Sequence, residues 1–473
     1  MTSSVQPDDA IVKADDNVTG PSNPLFGLQD AQIKAVKALL QAGPEARKPL
    51  QGLLSEMSNA DIAELFAKLH NDQRETLLDQ HSDDFDPNMY VEIDDDIRPE
   101  ILTTMPSIDV ANIVDALDSD DALDLIISLD EELQDEIIRQ LSAKTRLELK
   151  EGLGFPEDSA GRLMQREFVA IPQFWTVGKT IDYLRAAGDE IPDEFFDIFV
   201  ITPTYHVAGE IPLSKLIKAK RSEKLDDLTL DDIHAIHAQS DQEDVARIFR
   251  RENITSAPVV DDSGRLIGVI TIDDVIHVID EEAEEDFLML GGVGADDLYS
   301  AVLSTTSSRF RWLFINLVTA LFASLVIAMF ETTINQIVAL AILMPIVASM
   351  GGNAGTQALT VAVRALATKE LSGSNTLRII WKETLVGFIN GVIFAFLIGC
   401  AATFWFQDYM LGGVIAAAMI INLFVAGLFG AGIPIALDRL GSDPAISSTV
   451  VLTTLTDVIG FVAFLGLAAI FLV

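Results

Sequence analysis

Apolar residues follow three patterns along the chain. Between residues 27 and 151 they recur at three- and four-residue spacing, as in Ile62, Leu65, Phe66 and Leu69, which is the period of one helix face. Residues near 157–280 carry short apolar strings broken by turn signals, an α/β pattern. Its clearest stretch runs from Ala257 to Val275: an apolar strand, a turn at Asp262-Ser-Gly264, a second strand, and a helix opening at Asp273 or Asp274. Beyond Arg311 the apolar residues become continuous. Crossing the ~30 Å hydrocarbon core takes about 20 apolar residues per helix. Five runs are long enough: Trp312–Phe330, Ile337–Val363, Leu385–Phe406, Met410–Leu437 and Ala445–Val473. The expected fold is multidomain, with an all-α N-terminal region, an α/β middle, a connecting helix and a membrane domain of five α-helices.

The helical region contains a repeat. The string from Met57 (MSNADIAELF) matches the string from Met105 (MPSIDVANIV) at an offset of 48 residues. Repeated helical pairs stack into a superhelix. Charge sharpens the division of the chain. The 473 residues carry a formal charge of −39, yet the seven Lys/Arg and seven Asp/Glu from Ser307 to Val473 cancel. The whole excess therefore lies in residues 1–306. Such a surface repels nucleic acid and attracts cations. The polar, Asp- and Ser-rich segment from Met1 to Pro24 lacks the apolar core of a signal peptide and is expected to be disordered. Cys400, the one cysteine, excludes an intrachain disulfide or a cysteine-based metal site. No nucleophile–base set, phosphate-binding glycine loop or Cys/His cluster points to an enzyme.

Basic residues orient the spans. Arg309, Arg311, Arg364, Lys369, Arg378, Lys382 and Arg439 all fall on one side, and the opposite loops carry only Glu331 and Asp408. The acidic half is thus expected in the cytoplasm and the C-terminus outside, in a bacterial inner or plasma membrane. Asp457, midway along the last run, is an acid deep in a span, and a carboxylate there marks an ion path by default. Its bland alternative is an Asp satisfied by Thr453, Thr454 and Thr456. In the second run, Asn353 and Gln357 lie four apart on one helix face and offer neutral oxygens. Gly351 and Gly355 beside them also read as a GxxxG packing motif. Asp443 sits at the mouth of the fifth run, as a cation-attracting acid or as a helix-start residue. The run Asp280–Asp286 opens the connecting helix with acids that repel one another at i, i+3 and i+4, and a divalent cation would relieve that repulsion.

The α/β stretch resembles the second half of a CBS domain. An earlier copy spans about Ala160–Lys218, with Phe199-Val-Ile as its strand. Taken with the order of regions, the strings PEDSAGRLM (156–164), MGGNAGTQ (350–357) and SDPAISSTVVLTTLTDVIGF (442–461) resemble the MgtE family of bacterial magnesium channels over residues 31–473. After the acidic tail (1–30), which has no counterpart in that family, the resemblance implies four divisions: a helical superhelix (31–155), a tandem CBS pair (156–280), a connecting or plug helix (281–306) and a membrane domain (307–473). It implies a homodimer in membrane lipid with the pore on its two-fold axis and Asp457 selecting Mg²⁺, while Asn353, Gln357 and Asp443 are read as lining the path from their own chemistry and position. It implies regulatory Mg²⁺ at Asp120, Asp124, Asp274, Glu282, Glu285 and Asp286, which closes the channel, and an adenine nucleotide such as ATP at the CBS pair. His277 stands where the family pattern has an acid, and Asn253 replaces another. A cation-coupled secondary transporter and a non-conducting Mg²⁺ sensor are the alternatives.

Overall fold

The computed structural model describes residues 28–473 apart from 96, 189–190, 193, 231–232, 294–301, 372–374 and 441–443. The expected acidic tail lies outside them except for its last residues, and Asp443 lies outside them too. The chain divides into two compact units, residues 1–282 and 283–473.

Ten α-helices occupy the first part of unit one among the described residues: α1 (Asp30–Ala42), α2 (Arg47–Leu54), α3 (Asn59–Lys68), α4 (Asn71–His81), α5 (Asn88–Val91), α6 (Arg98–Thr104), α7 (Ser107–Val114), α8 (Ser119–Ile127), α9 (Glu131–Gln140) and α10 (Ala143–Gly152). The 48-residue repeat is visible in their starting points. Asn59 and Ser107 open α3 and α7, and Asn71 and Ser119 open α4 and α8. Ser58 caps α3 by accepting from the Asp61 amide, whose side chain returns the bond, a capping box that fixes the helix start. Each helix is too short to be stable alone. They share one core that includes Val36, Leu50, Leu65, Phe66, Leu77, Tyr90, Val110 and Ile126.

Two copies of a βαββα unit follow. In the first, β1 (Ala170–Pro172) pairs parallel with β2 (Asp197–Ile201), and β2 pairs antiparallel with β3 (Val207–Pro212). In the second, β4 (Ile236–His237), β5 (Ser256–Val260) and β6 (Leu266–Thr271) repeat that order, including a register shift at the equivalent place in the middle strand. Helices α12 (Val177–Ala187) and α14 (Gln242–Glu252) make the parallel crossovers; α13 (Leu213–Lys218) closes the first copy. The expected turn is present: the Gly264 amide bonds to the Asp261 carbonyl, and Gly264 has φ +79°. The copies meet through Phe199, Ile201, Leu266 and Val269.

One placement differs from sequence order. Residues 160–164, read as the start of the first copy, pack into the second. In α11 (Ala160–Leu163) the Ala160 and Gly161 amides bond to the carbonyls of Ser240 and Ala238, and Ala160 and Met164 join the core around Ile236, Phe249 and Val259. The second copy ends in α15 (Ile272–Gly291), which runs unbroken through residue 281, so the connecting segment begins inside a helix.

Among the described residues, unit two contains five helices long and apolar enough to cross a membrane: α16 (Val302–Met329), α18 (Ala339–Ala367), α19 (Thr376–Phe406), α20 (Tyr409–Arg439) and α21 (Pro444–Phe471). A short α17 (Glu331–Gln336) joins the first two. Small residues bring α19 and α20 together. A Cβ at Gly427 would lie 2.4 Å from the Glu383 carbonyl oxygen, and one at Gly387 would lie 2.4 Å from that of Leu423. Close backbone approach of this kind is how helices associate where no hydrophobic effect separates them from lipid.

Candidate functional site

Two places gather chemistry, one in each unit. In unit one, two helix N-termini each carry an Asp pair. Asp120 and Asp121 occupy the first turn of α8, and Asp273 and Asp274 the first turn of α15. A helix N-terminus favours an anion, but burial and mutual repulsion outweigh that here. Burial pushes Asp120 well above the usual carboxylate range, with Asp274 and Asp121 adding repulsion. Burial raises Asp121 to about 7, with Asp274, Asp118, Asp124 and Asp273 contributing. Burial raises Asp274 to about 6, although Thr271 Oγ1 donates to its Oδ2 at 2.7 Å. Acids pushed this way take up protons at a higher pH than exposed carboxylates do, and a cation competes with those protons.

A second tier lies one to two turns along α15. Burial, then Asp95 and Asp124, raises Glu281, and His277 partly offsets the effect. Burial also raises Asp95, and Arg98 counters it. Buried Arg98 pairs with Asp124 at 2.6 Å and Asp95 at 2.7 Å and donates to the carbonyls of Ile93 and Val91. The Asp124 carboxylate is thus spoken for by an arginine. Glu282 accepts from Gln242 Nε2 at 2.9 Å.

Of the regulatory residues read from sequence, the structure brings Asp120 and Asp274 together and seats Asp124 on Arg98, near Asp121 and Glu281. Glu285 and Asp286 lie further along α15, in unit two. Asp121, Asp273 and Asp95 are not among those residues, and Glu281 enters only as part of the run Asp280–Asp286. Asp121 and Asp273 are direct neighbours of residues singled out, and only folding separates which member of each pair faces the other helix. Asn253 proves to be the left-handed residue that ends α14 (φ +54°), a position that suits asparagine. Among the described residues no three acidic or histidine side chains converge closely enough to chelate one ion directly. The donors are nonetheless hard oxygens, the type Mg²⁺ or Ca²⁺ takes, and Mg²⁺ usually keeps several waters between itself and the protein.

In unit two, the buried face of α18 carries Val347, Gly351, Gly355, Ala358 and Leu359, while Asn353, Thr356, Gln357 and Thr360 are exposed. The glycines and the amides of MGGNAGTQ therefore lie on different faces of the helix. The glycines serve packing, since a Cβ at Gly355 would lie 3.1 Å from the Leu452 side chain of α21. The amides look outward. On α21, Thr449, Thr453 and Asp457 recur every four residues along a face that is exposed or half-buried. The threonines do not satisfy Asp457. Thr453 donates to the Thr449 carbonyl, Thr454 to that of Val450, and Thr456 to those of Leu452 and Thr453. Among the described residues Asp457 has neither a hydrogen bond nor an ion pair. Glu383 is a second acid within a helical span. It is buried near the start of α19 and lies 3.3 Å from Lys382.

These features define a multi-pass membrane protein with a large acidic module suited to cations. Comparison with known proteins narrows the class. Profiles for a divalent cation transporter domain (MgtE), the MgtE intracellular N domain and a CBS domain match residues 344–467, 57–158 and 225–281. The magnesium transporter MgtE of Thermus thermophilus is 34% identical over 335 residues, 70% of this chain and 74% of its own. That of Bacillus subtilis is 29% identical over 426 residues, 90% and 94% respectively. A crystal structure of the cytosolic domain of the Mg²⁺ channel MgtE in complex with ATP matches at 26% identity and TM-score 0.48, over 52% of this chain and 99% of that one. The chain belongs to the MgtE family of magnesium transporters.

Proposed function

We propose that the chain forms a Mg²⁺-selective channel, as a homodimer in the bacterial inner or plasma membrane, closed by Mg²⁺ on its acidic face. The N-terminus is then cytoplasmic and the C-terminus outside, as the basic loops indicate. The observation that carries this reading is Asp457. It has no partner among the described residues, and it shares its helix face with Thr449 and Thr453. An unpartnered acid and outward-facing amides are costly against lipid. A second copy would cover the stripes of α18 and α21 and enclose a polar path. Two Asp457 carboxylates across that path supply a site for a hydrated divalent cation. Asn353 and Gln357 supply neutral oxygens beside it.

Closure draws on the other site. Mg²⁺ between the N-termini of α8 and α15 offsets the repulsion of Asp120, Asp121, Asp273 and Asp274. Glu282, Glu285 and Asp286 continue along the same helix that leaves the CBS pair. Ion binding at its start thus acts on the helix that leads out of the CBS pair. An adenine nucleotide at the CBS pair belongs to the same proposal.

The test is Mg²⁺ influx into proteoliposomes with no Na⁺ or pH gradient while Mg²⁺ on the acidic face is varied. Influx that falls as that Mg²⁺ rises, and that drops at least tenfold in Asp457→Ala, is expected. Influx only when an ion gradient is supplied would replace the channel with a coupled carrier, and no influx under any gradient would leave a sensor.

A further inference from the structure

The two motifs of the membrane unit, MGGNAGTQ and TDVIGF, are joined by a residue in neither. Asn422, in the middle of α20, is wholly buried among apolar neighbours. Its Nδ2 donates to the Val347 carbonyl of α18 at 2.8 Å. Its Oδ1 is buried with no hydrogen-bond partner. The amide is seated against two glycines. A Cβ on Gly351 would lie 2.2 Å from Nδ2 and 2.8 Å from Cγ, and one on Gly460 would lie 2.8 Å from Nδ2. In each glycine a hydrogen takes that direction and points at the amide, a C–H···amide contact that only glycine permits. No other side chain fits both places without displacing the amide.

The two glycines hold defined positions relative to the proposed ion site. Gly351 is two residues from Asn353 on α18, and Gly460 is three residues from Asp457 on α21. Asn422 therefore grips both helices that carry the exposed polar stripes, each within one turn of its polar group. An apolar side chain of similar volume would fill the space without leaving an oxygen unpaired, so packing alone does not account for asparagine. What the amide adds is register. A hydrogen bond to one named carbonyl is lost if α18 slides or rotates, whereas apolar contact tolerates such shifts.

We infer that Asn422 is a positioning residue of the ion path. It sets the height of Asn353 relative to Asp457, and with it the size of the site presented to a hydrated divalent cation. This rests on the proposed channel function and deepens it. Mg²⁺ and Ca²⁺ carry the same charge but differ in the rigidity and size of their oxygen shells, so a register error acts on their ratio.

The test uses the full-length protein in proteoliposomes, with Mg²⁺ and Ca²⁺ influx measured separately. Asn422→Leu keeps the branching of the side chain, though not its volume, and removes the hydrogen bond. It is expected to lower the Mg²⁺:Ca²⁺ influx ratio by at least tenfold while the protein elutes as the wild type does. Gly460→Ala, which drives a methyl group into the amide, is expected to lower the same ratio. Asn422→Ser, small enough to fold and still able to donate, is expected to fall between Leu and wild type. A purely structural role would reduce both influxes together and leave the ratio unmoved. A wild-type ratio in Asn422→Leu overturns the inference; if that variant does not fold, a wild-type ratio in both Gly460→Ala and Asn422→Ser does so. A wild type with no selective influx overturns the channel reading and this inference with it.

Discussion

At the scale of single residues, the acids that matter are those whose surroundings disagree with their charge. Glu210 on β3 stands opposite Phe199, diagonal to Asp197, on the face where the two CBS copies meet. Asp197 is stabilised by donors from the other copy, Ser256 Oγ at 2.7 Å and Thr255 Oγ1 at 3.3 Å. Glu210 has burial and then Asp197 against it, and is pushed up to about 7. Its pKa is higher folded than unfolded, so the folded state binds more protons between about pH 4.5 and 7. Stability is fully present below that window and is lost as pH rises through it. Glu210→Gln should match wild type at pH 4.5 and exceed it by about 1–3 kcal/mol at pH 8, the lower end allowing for solvent relaxation. Hydrogen exchange of β2 and β3 amides, corrected for intrinsic rate, measures this; equal protection at both pH values would refute it. Asp457 was legible in the sequence because an acid in an apolar run needs no fold to stand out. Glu210 and Asn422 were not, because their burial comes from chain segments tens of residues away. Asn422 did leave a trace, as a lone amide in the apolar string AAAMIINLFVAGLF, but nothing local says that two distant glycines receive it.

At the scale of elements, periodicity and length carried most of the information. Five apolar runs gave five spanning helices, and a ten-residue string repeated at 48 residues marked the helix pairs α3–α4 and α7–α8. Three features escaped this reasoning. The segment 160–164 follows the helical domain in sequence and so read as part of the first CBS copy, but its apolar residues complete the second. The connecting helix has no break at its start, because Val275 and Val278 are fully packed in the CBS core just before the acidic run begins. The polar face of α18 and its glycine face share one motif, and only packing tells them apart. The same packing predicts which glycines are indispensable. Gly427→Ala places a methyl group 2.4 Å from a backbone oxygen of α19, where no side chain can swing aside. It should force α19 and α20 apart at a cost of roughly 1–3 kcal/mol. Gly413→Ala on the same helix meets open space and should be neutral. Thermal melting of the detergent-solubilised protein compares the two, and equal midpoints would show that this contact is not as tight as described.

At the scale of the whole molecule, the governing fact is that a charge of −39 is confined to one side of the chain. Such a charge weakens its own compact state by self-repulsion, and the helix starts of α8 and α15, where Asp120 is buried and Asp121 and Asp274 are half-buried, concentrate that repulsion. Near neutral pH these acids have two ways to relieve it: they bind protons, as the raised values of Asp121 and Asp274 indicate, or they bind a cation. The two compete. Mg²⁺ added at pH 6.5 to weakly buffered protein should therefore release protons. It should slow hydrogen exchange in α8 and the first turns of α15 more at pH 8 than at pH 5.5, where protons already occupy the sites. NaCl at the same ionic strength screens exposed charges but reaches buried ones poorly, so it should do much less. The double variant Asp121→Asn, Asp274→Asn removes part of the repulsion and part of the site at once. Without Mg²⁺ it should be better protected than wild type, and with Mg²⁺ it should gain little. Equal protection by NaCl and Mg²⁺, or an undiminished Mg²⁺ response in the double variant, would mean that these acids form a solvated face and that the ion acts elsewhere. The expected result would tie the acidity of the extramembrane unit to the ion itself, since a fold that is incomplete without a divalent cation responds to its concentration by the same electrostatics that hold it together.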